Sequence, residues 1–184
     1  VELFKDYVYV SSTSQVFINH FKAFSEDVGK RFNLTKESLV LDIGSNDGIL
    51  LQPFKTLGTK VLGIEPASKI AALAQSKGIK TISEFFSVQL SKEIVGRYGH
   101  AKIITATNVF AHINDLDEVI KGLDVLLERD GVFIMEAPYL VDFLEKRYFD
   151  LVYHEHLSYW SVKSLITLFK RFDMEVFDVQ KVTV

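Results

Sequence analysis

Short apolar runs alternate with longer amphipathic segments along most of the chain. The spacing of Phe17, Phe21, Phe24 and Val28, for example, places their side chains on one face of a helix. The runs between such segments are short and almost continuously apolar, as in buried strands. We predict strands over 38–43, 60–64, 79–82, 101–106 and 131–136, and helices over 16–32, 49–57, 68–77, 88–98, 115–127 and 161–171.

This alternation predicts the fold class. Strands that are apolar on both faces form parallel sheets with helices on each side, and right-handed crossovers then give a doubly wound α/β fold. Past residue 138 the alternation loosens into an aromatic, mixed-charge stretch over 139–160. Residues 176–184 have strand-like composition and no closing turn, and the chain begins at Val1 rather than at methionine. We therefore expect residues 1–184 to be one domain excised from a longer chain.

Composition and charge exclude several classes of protein. The 184 residues are 48% hydrophobic and 24% charged, which excludes disorder and low complexity. The net charge of -3 gives no electrostatic basis for binding nucleic acid or anionic membranes. No apolar run approaches the length of a membrane span, no signal peptide is evident, and the absence of cysteine excludes disulfides and thiolate zinc sites. We expect a cytoplasmic protein; nothing in the sequence indicates its oligomeric state.

A glycine-containing loop follows the first predicted strand. Gly44 and Gly48 let the backbone turn sharply and approach a ligand closely. Glu65 ends the second strand 21 residues after Gly44, where a carboxylate can accept both ribose hydroxyls of a nucleoside. This arrangement predicts a nucleoside-containing cofactor at the carboxyl ends of the strands.

The loop favours a cationic cofactor over a dinucleotide. A dinucleotide site needs the pattern G-x-G-x-x-G, and here Asn46 stands where the second glycine would be. Asp42 and Asp47 would repel a pyrophosphate, but they suit a ligand that carries an amino group and a sulfonium. S-adenosylmethionine is such a ligand.

Two histidine-containing segments should line the same site. One segment, 108–113, follows the fourth strand, and the other, 153–159 (YHEHLSY), follows the loosened stretch. A surface loop with solvated or packed histidines is one interpretation. A metal site is another interpretation, but His112 is the one residue that could add a third nitrogen ligand to those of His154 and His156. Acid–base catalysis is the interpretation we favour, because a histidine with a nearby carboxylate supplies the chemistry that it requires.

Several of these motifs resemble known enzymes. Residues 40–48 (VLDIGSNDG) resemble motif I of the class I S-adenosylmethionine-dependent methyltransferases, in which an acidic residue matching Glu65 binds the ribose. Residues 108–113, 136–140 (EAPYL) and 153–159 resemble the nucleotide-sugar C-methyltransferases of deoxysugar pathways. This second resemblance extends over nearly the whole chain, and its motifs are more specific than motif I.

The resemblance implies a fold, a cofactor and a substrate. The fold would be the mostly parallel, seven-stranded sheet of class I methyltransferases, truncated here at the last strand. The cofactor would be S-adenosylmethionine, released as S-adenosylhomocysteine. The acceptor would be a carbon next to the ketone of a nucleoside-diphosphate 4-keto-deoxysugar. Family members also carry a zinc-binding domain before this one and a further α/β domain after it, so zinc is expected only in the former and no metal is expected within these residues.

The resemblance also implies residue roles. His156 would be the general base, with Glu155 to hold or polarise it or to bind a sugar hydroxyl, and with Tyr153 bonded to the substrate. His112 would contact the substrate or the path of the departing proton, and Tyr9 would reach the same pocket. The residues expected to bind the cofactor are Asp42, Gly44, Asn46, Asp47, Gly48, Glu65, Phe85, Phe86 and Asn108, with the two phenylalanines beside the adenine.

Other functions fit the same scaffold. An O- or N-methyltransferase of small molecules needs no proton removal from carbon and would use His112 or His156 differently. A non-catalytic module that binds S-adenosylmethionine is a further alternative. The combination of Tyr153, Glu155 and His156 argues against such a module, because no structural role requires these three together.

Overall fold

The computed structural model describes residues 10–148 and 152–182, so Tyr9 lies outside the described residues. Strands and helices alternate along it as the sequence predicts. The strands are β1 (Leu39–Ile43), β2 (Lys60–Ile64), β3 (Thr81–Ile82), β4 (Ala101–Thr107) and β5 (Leu127–Glu136). The helices are α1 (Gln15–Arg31), α2 (Leu51–Thr56), α3 (Ser68–Ser76), α4 (Val88–Tyr98), α5 (Leu116–Leu126), α6 (Leu140–Lys146) and α7 (Val162–Lys170), with short 3₁₀ helices at Ser11–Thr13 and Phe110–His112.

The five strands form one parallel sheet in the order β3-β2-β1-β4-β5. The strand order reverses between β1 and β4, since the chain first builds outward through β2 and β3 and then returns to the other side of β1. Such a reversal leaves a crevice at the carboxyl ends of the strands, where α/β proteins bind ligands. The register places Asp42 of β1 between Gly63 of β2 and Thr105 of β4.

Helices cover both faces of the sheet, which confirms the doubly wound α/β class. On one face Phe21, Val28 and Phe54 from α1 and α2 pack against Val40 and Ile103. The other face packs against residues of α4, α5 and α7, including Leu90, Leu123 and Phe169. Alternate residues of each strand therefore enter two separate apolar cores.

Polar side chains mark where four of the helices begin. Ser14, Ser87, Asp115 and Ser161 each accept a hydrogen bond from the backbone amide three residues on, at the starts of α1, α4, α5 and α7. These bonds satisfy amides that have no partner within the helix. Among the described residues, no helix is both long and apolar enough to cross a membrane.

The region after β5 differs most from the sequence prediction. Helix α6 lies within the stretch whose alternation loosens, and it is held by a bridge between Tyr139 and Trp160. Residues 176–182, predicted as strand, form none: a strand needs a neighbour for its backbone groups, and this segment pairs with none in the described structure. It instead lies against α1, with Phe177 edge-on to Phe32 and Asp178 bonded to Arg31 at 2.5 Å.

We predict that Phe54→Ala strongly destabilises the fold. Phe54 is fully buried, and its ring meets that of Phe24 edge-on at 6.3 Å, so truncation leaves a cavity between α2, α1 and the sheet. The free energy of unfolding in urea should fall by about 3–5 kcal/mol. Leu144→Ala is the control, because Leu144 is 66% exposed; it should change the free energy by less than about 0.5 kcal/mol. Equal losses in the two variants would contradict this assignment of the core.

Candidate active site

A cavity of about 490 Å³ opens at the carboxyl ends of β1, β2 and β4. The loop after β1, the end of β2 and the loop after β4 form its floor, and α1 forms one wall. It therefore occupies the crevice that the reversal of strand order creates. Of the residues predicted to bind a cofactor, those on its wall are Asp42, Gly44, Asn46, Glu65, Phe85, Phe86 and Asn108.

The loop after β1 depends on left-handed backbone at three positions. Gly44, Asn46 and Gly48 have φ angles of 69°, 48° and 80°. A Cβ atom on Gly44 would lie only 2.5 Å from a methyl carbon of Val109, in the loop after β4. Glycine at 44 is therefore needed both for its backbone conformation and for the close approach of the two loops.

Glu65 fixes this loop to the end of β2. One carboxylate oxygen accepts the amide of Asn46 at 3.0 Å, and the other accepts the amide of Ala67 at 2.9 Å. Burial raises the pKa of the Glu65 carboxyl, while these two hydrogen bonds oppose the shift. Each carboxylate oxygen has a second lone pair, so the group can still accept hydroxyl donors from the cavity.

Asp42 is a buried carboxylate at the bottom of the cavity. It accepts a hydrogen bond from the hydroxyl of Thr105 at 2.7 Å. Burial raises the pKa of Asp42 to about 7, with the Thr105 bond opposing and the charge of Glu65 adding to the shift. Asp42 therefore changes its charge close to neutral pH.

The cavity wall is acidic. It carries the carboxyl groups of Asp42, Glu65, Asp115 and Glu118, and the described residues contribute no lysine or arginine to it. The hydroxyl of Ser45, also on the wall, is buried without a hydrogen-bond partner in the described structure. The arrangement suits a ligand with positive charge and hydroxyl groups, whereas a pyrophosphate would meet repulsion.

Asp47 and Gly48, also predicted to bind the cofactor, lie behind the loop rather than on the cavity wall. Asp47 is buried and forms an ion pair with Lys77 at the end of α3. A Cβ atom on Gly48 would lie 2.9 Å from the side chain of Ile79. Both residues therefore contact the underlying structure, because the turn at Asn46 directs them away from the cavity.

The aromatic and amide residues predicted for this site lie on its wall. Phe86 packs against the backbone of α5, where a Cβ atom on Gly122 would come within 2.8 Å of the ring. Asn108 has a φ of 55°, and its amide donates to the carbonyl of Glu136 at 2.8 Å. This bond ties the loop after β4 to the end of β5.

The sequence does not predict the cavity wall that α1 forms. Phe17 and Phe21 line the cavity, although their spacing alone indicated an ordinary core-facing helix. The preceding turn contributes as well, because the amide of Ser11 donates to the side-chain oxygen of Asn46 at 2.9 Å. The aromatic content of this helix face was the one signal in the sequence that could have indicated a ligand-facing wall.

The two histidine-containing segments, 108–113 and 153–159, meet beside the cavity. His112 lies on the cavity wall, and its Nδ1 is 2.9 Å from the backbone carbonyl oxygen of Glu155. The ring centroids of His112 and His156 are 4.9 Å apart, and that of Tyr153 is 4.2 Å from His156. The amide of Leu157 donates to the carbonyl of Ala111 at 2.7 Å, which joins the two segments through their backbones.

These contacts define the chemistry of the cluster. A carbonyl oxygen only accepts, so Nδ1 of His112 must carry a hydrogen, and in the neutral ring Nε2 is then the basic nitrogen. Burial and the charge of Glu155 raise the pKa of the Tyr153 hydroxyl, which keeps it protonated and able to donate. No group of three potential metal ligands occurs within residues 10–148 and 152–182.

Comparison with known proteins identifies the family. The family described as a methyltransferase domain matches residues 19–179. The chain belongs to this methyltransferase family. S-adenosylmethionine is therefore the cofactor of this methyltransferase domain, in agreement with the acidic cavity. Glu65 would accept the ribose hydroxyls, and the backbone of Gly44 and the carboxylate of Asp42 would face the positively charged end.

Two curated methyltransferases are similar to this methyltransferase domain. The C-methyltransferase NovU of Streptomyces niveus is 40% identical over 177 residues, which are 96% of this chain and 42% of that protein. A ubiquinone biosynthesis O-methyltransferase of Pelagibacter ubique is 27% identical over 68% of this chain and 51% of its own length. The chain thus spans about half or less of these two relatives.

A solved methyltransferase structure shares the fold. A methyltransferase of Archaeoglobus fulgidus, described as dependent on S-adenosylmethionine, superposes with a TM-score of 0.64 at 14% identity. The match covers 82% of this chain and 67% of that one. At this identity the similarity shows a shared fold alone.

We predict that the affinity for S-adenosylmethionine rises with pH through the titration of Asp42. With a pKa of about 7, this carboxyl is mostly neutral at pH 6 and mostly ionised at pH 8. If the ionised form binds the cationic cofactor, calorimetric affinity should rise about tenfold over that interval. Asp42→Asn should bind weakly at both pH values, while Asp130→Asn, a change at the exposed surface, should behave as the wild type.

The stability of the ligand-free protein should show the opposite trend. Between the usual pKa of 3.8 and about 7, the folded state holds a proton on Asp42 that the unfolded state has lost. The free energy of unfolding therefore falls as pH rises through this interval, and Asp42→Asn should remove that component. For the binding prediction above, a wild-type affinity for S-adenosylmethionine that does not change with pH would contradict the role of the ionised Asp42 carboxylate.

Proposed function

We propose that this domain transfers a methyl group from S-adenosylmethionine to a carbon next to the ketone of a nucleoside-diphosphate 4-keto-deoxysugar. The contact of His156 with His112 at the edge of the cofactor cavity carries the proposal. The similarity to the C-methyltransferase NovU supports transfer to carbon, and the resemblance of residues 153–159 to the nucleotide-sugar enzymes supports the sugar.

The reaction needs a base because a carbon next to a ketone is not a nucleophile until it loses a proton. Histidine titrates near neutral pH, so a neutral imidazole can accept that proton and leave an enolate. When bound, S-adenosylmethionine supplies a methyl group attached to positively charged sulfur, and the methyl carbon accepts the electron pair of the enolate carbon as its bond to sulfur breaks. The proton stays on the base until the product leaves.

We assign the role of base to His156. Its ring lies between those of Tyr153 and His112 and meets that of Tyr159 edge-on at 5.9 Å, so its plane is held from several sides. Tyr153 is 40% exposed and protonated, which suits a donor to the ketone oxygen as negative charge develops there. In this scheme His112 stands between the base and the cofactor and aligns the acceptor.

The contacts of Glu155 connect it to both His112 and Tyr153. The hydrogen bond that the structure shows for it joins its backbone carbonyl to His112, and its side-chain charge acts on Tyr153. We therefore propose that Glu155 orients His112 through the backbone and favours the protonated form of Tyr153.

The walls of the cavity favour methyl transfer by excluding water. An enolate and a sulfonium lose charge as they react, so a poorly solvated site lowers the barrier. The rings of Phe17, Phe21, Phe85 and Phe86 provide such a wall. Alignment of the two reactants in contact can contribute about 7–11 kcal/mol to the rate enhancement.

Methylation of oxygen is the second candidate, and it is supported by the similarity to the ubiquinone biosynthesis O-methyltransferase. An oxygen acceptor would also use a histidine base, but the proton would come from a hydroxyl group. Exchange of a carbon-bound proton with solvent separates the two reactions, because it occurs only when an enolate forms.

We predict that His156→Ala in the full-length protein lowers turnover on a 4-keto sugar nucleotide by about 100-fold or more, the usual scale for loss of a general base. With S-adenosylhomocysteine bound in place of the methyl donor, the wild type should exchange the proton next to the ketone for solvent deuterium, measured by nuclear magnetic resonance, and the variant should not. His154→Ala is the matched control, since His154 is the exposed neighbour, and it should retain both activities.

The possible outcomes separate the assignments. If His156→Ala still exchanges deuterium but does not methylate, His156 positions the acceptor and another group is the base. If the wild type binds the cofactor but shows no exchange and methylates a hydroxyl substrate, transfer to carbon is wrong while the family assignment stands.

A further inference from the structure

A histidine–carboxylate pair lies at the same edge of the sheet, outside the cluster described above. Nε2 of His20, on α1, is 2.7 Å from a carboxylate oxygen of Glu136, the last residue of β5. The two residues are 116 positions apart, and their side chains are only 15% and 16% exposed. Burying two polar side chains is costly unless each of them forms a hydrogen bond, and this contact gives each of them one.

His20 lies on the face of α1 that forms the cavity wall. Phe17 and Phe21, its neighbours one turn back and one residue on, both line the cavity. The imidazole contacts the rings of Phe21 at 5.2 Å and Phe24 at 6.3 Å. A polar ring thus interrupts an otherwise aromatic face between the two residues that cover the cofactor site.

Glu136 belongs to the same face of the sheet as the buried carboxylate of the cavity. The register places Ile134 beside Thr105 and Thr105 beside Asp42, and Glu136 follows Ile134 by two residues. Its backbone carbonyl accepts the amide of Asn108, a residue of the cavity wall. Glu136 is therefore held directly by the loop that borders the cofactor site.

We propose that His20 and Glu136 are a pair of positioning residues that fix α1 over the cavity and so set the affinity for S-adenosylmethionine. Aromatic contacts alone leave a helix able to shift along the surface beneath it, whereas a charged hydrogen bond has a defined length and direction. This bond links the helix that carries Phe17 and Phe21 to the strand that holds Asn108. The proposal depends on the cofactor and is independent of the acceptor proposed above.

The experiment measures calorimetric affinity for S-adenosylhomocysteine together with unfolding in urea for each variant of the full-length protein. His20→Ala and Glu136→Ala should each weaken binding by about tenfold, a part of what one charged hydrogen bond contributes. Glu136→Gln should bind within about threefold of the wild type, because the amide oxygen can still accept from Nε2. The double variant should bind no more weakly than either single variant, since both remove the same bond.

Arg31→Ala is the matched control. Arg31 also fastens α1, through its bond to Asp178, but at the end of the helix away from the cavity. It should leave the affinity unchanged even where it lowers the urea midpoint. Unchanged affinity in folded His20→Ala and Glu136→Ala would overturn the proposal and leave the pair with a purely structural role. An additive loss in the double variant, or no recovery with Glu136→Gln, would also overturn it.

Discussion

The burial of carboxylates at the carboxyl edge of the sheet is the constraint on which the site depends. Asp42 and Glu65 come to this edge because β1 and β2 run parallel and in register, and both are almost fully enclosed. Removing a carboxylate from water is unfavourable unless hydrogen bonds or an opposite charge compensate. The hydroxyl of Thr105 and the amides of Asn46 and Ala67 provide part of this compensation. A positively charged ligand would provide the remainder, so the site is complementary to one.

The same compensation shapes the loop around the ligand. Because Glu65 accepts the amide of Asn46, the loop must turn over the end of β2, and the left-handed conformations at Gly44 and Asn46 allow it. The turn brings Asn46 against Ser11 and so links the loop to the segment that precedes α1. Electrostatics, backbone conformation and the closure of the wall are thus consequences of one arrangement.

The sequence predicts the fold better than it predicts the site. In the described part of the chain, apolar runs and helical spacing identify the five strands and six of the seven α-helices, because each leaves a local pattern. The positions of Asp42 and Glu65 follow from the same pattern, since both lie where strands end. By contrast, the direction in which Asp47 and Gly48 face is decided by the turn at Asn46, which no periodicity reveals. The His20–Glu136 pair was missed because neither residue has a partner nearby in sequence.

The site's contacts also differ in how far apart they lie along the chain, and this has a consequence for how the molecule assembles. The bond between Asn46 and Glu65 joins residues 19 positions apart, whereas His112 meets Glu155 across 43 positions. Short loops close at a smaller entropic cost than long ones. During synthesis the loop between β1 and β2 can therefore close before the residues after β5 have left the ribosome. We expect a nascent chain to form the bond between Asn46 and Glu65 before it forms the contacts of the histidine cluster.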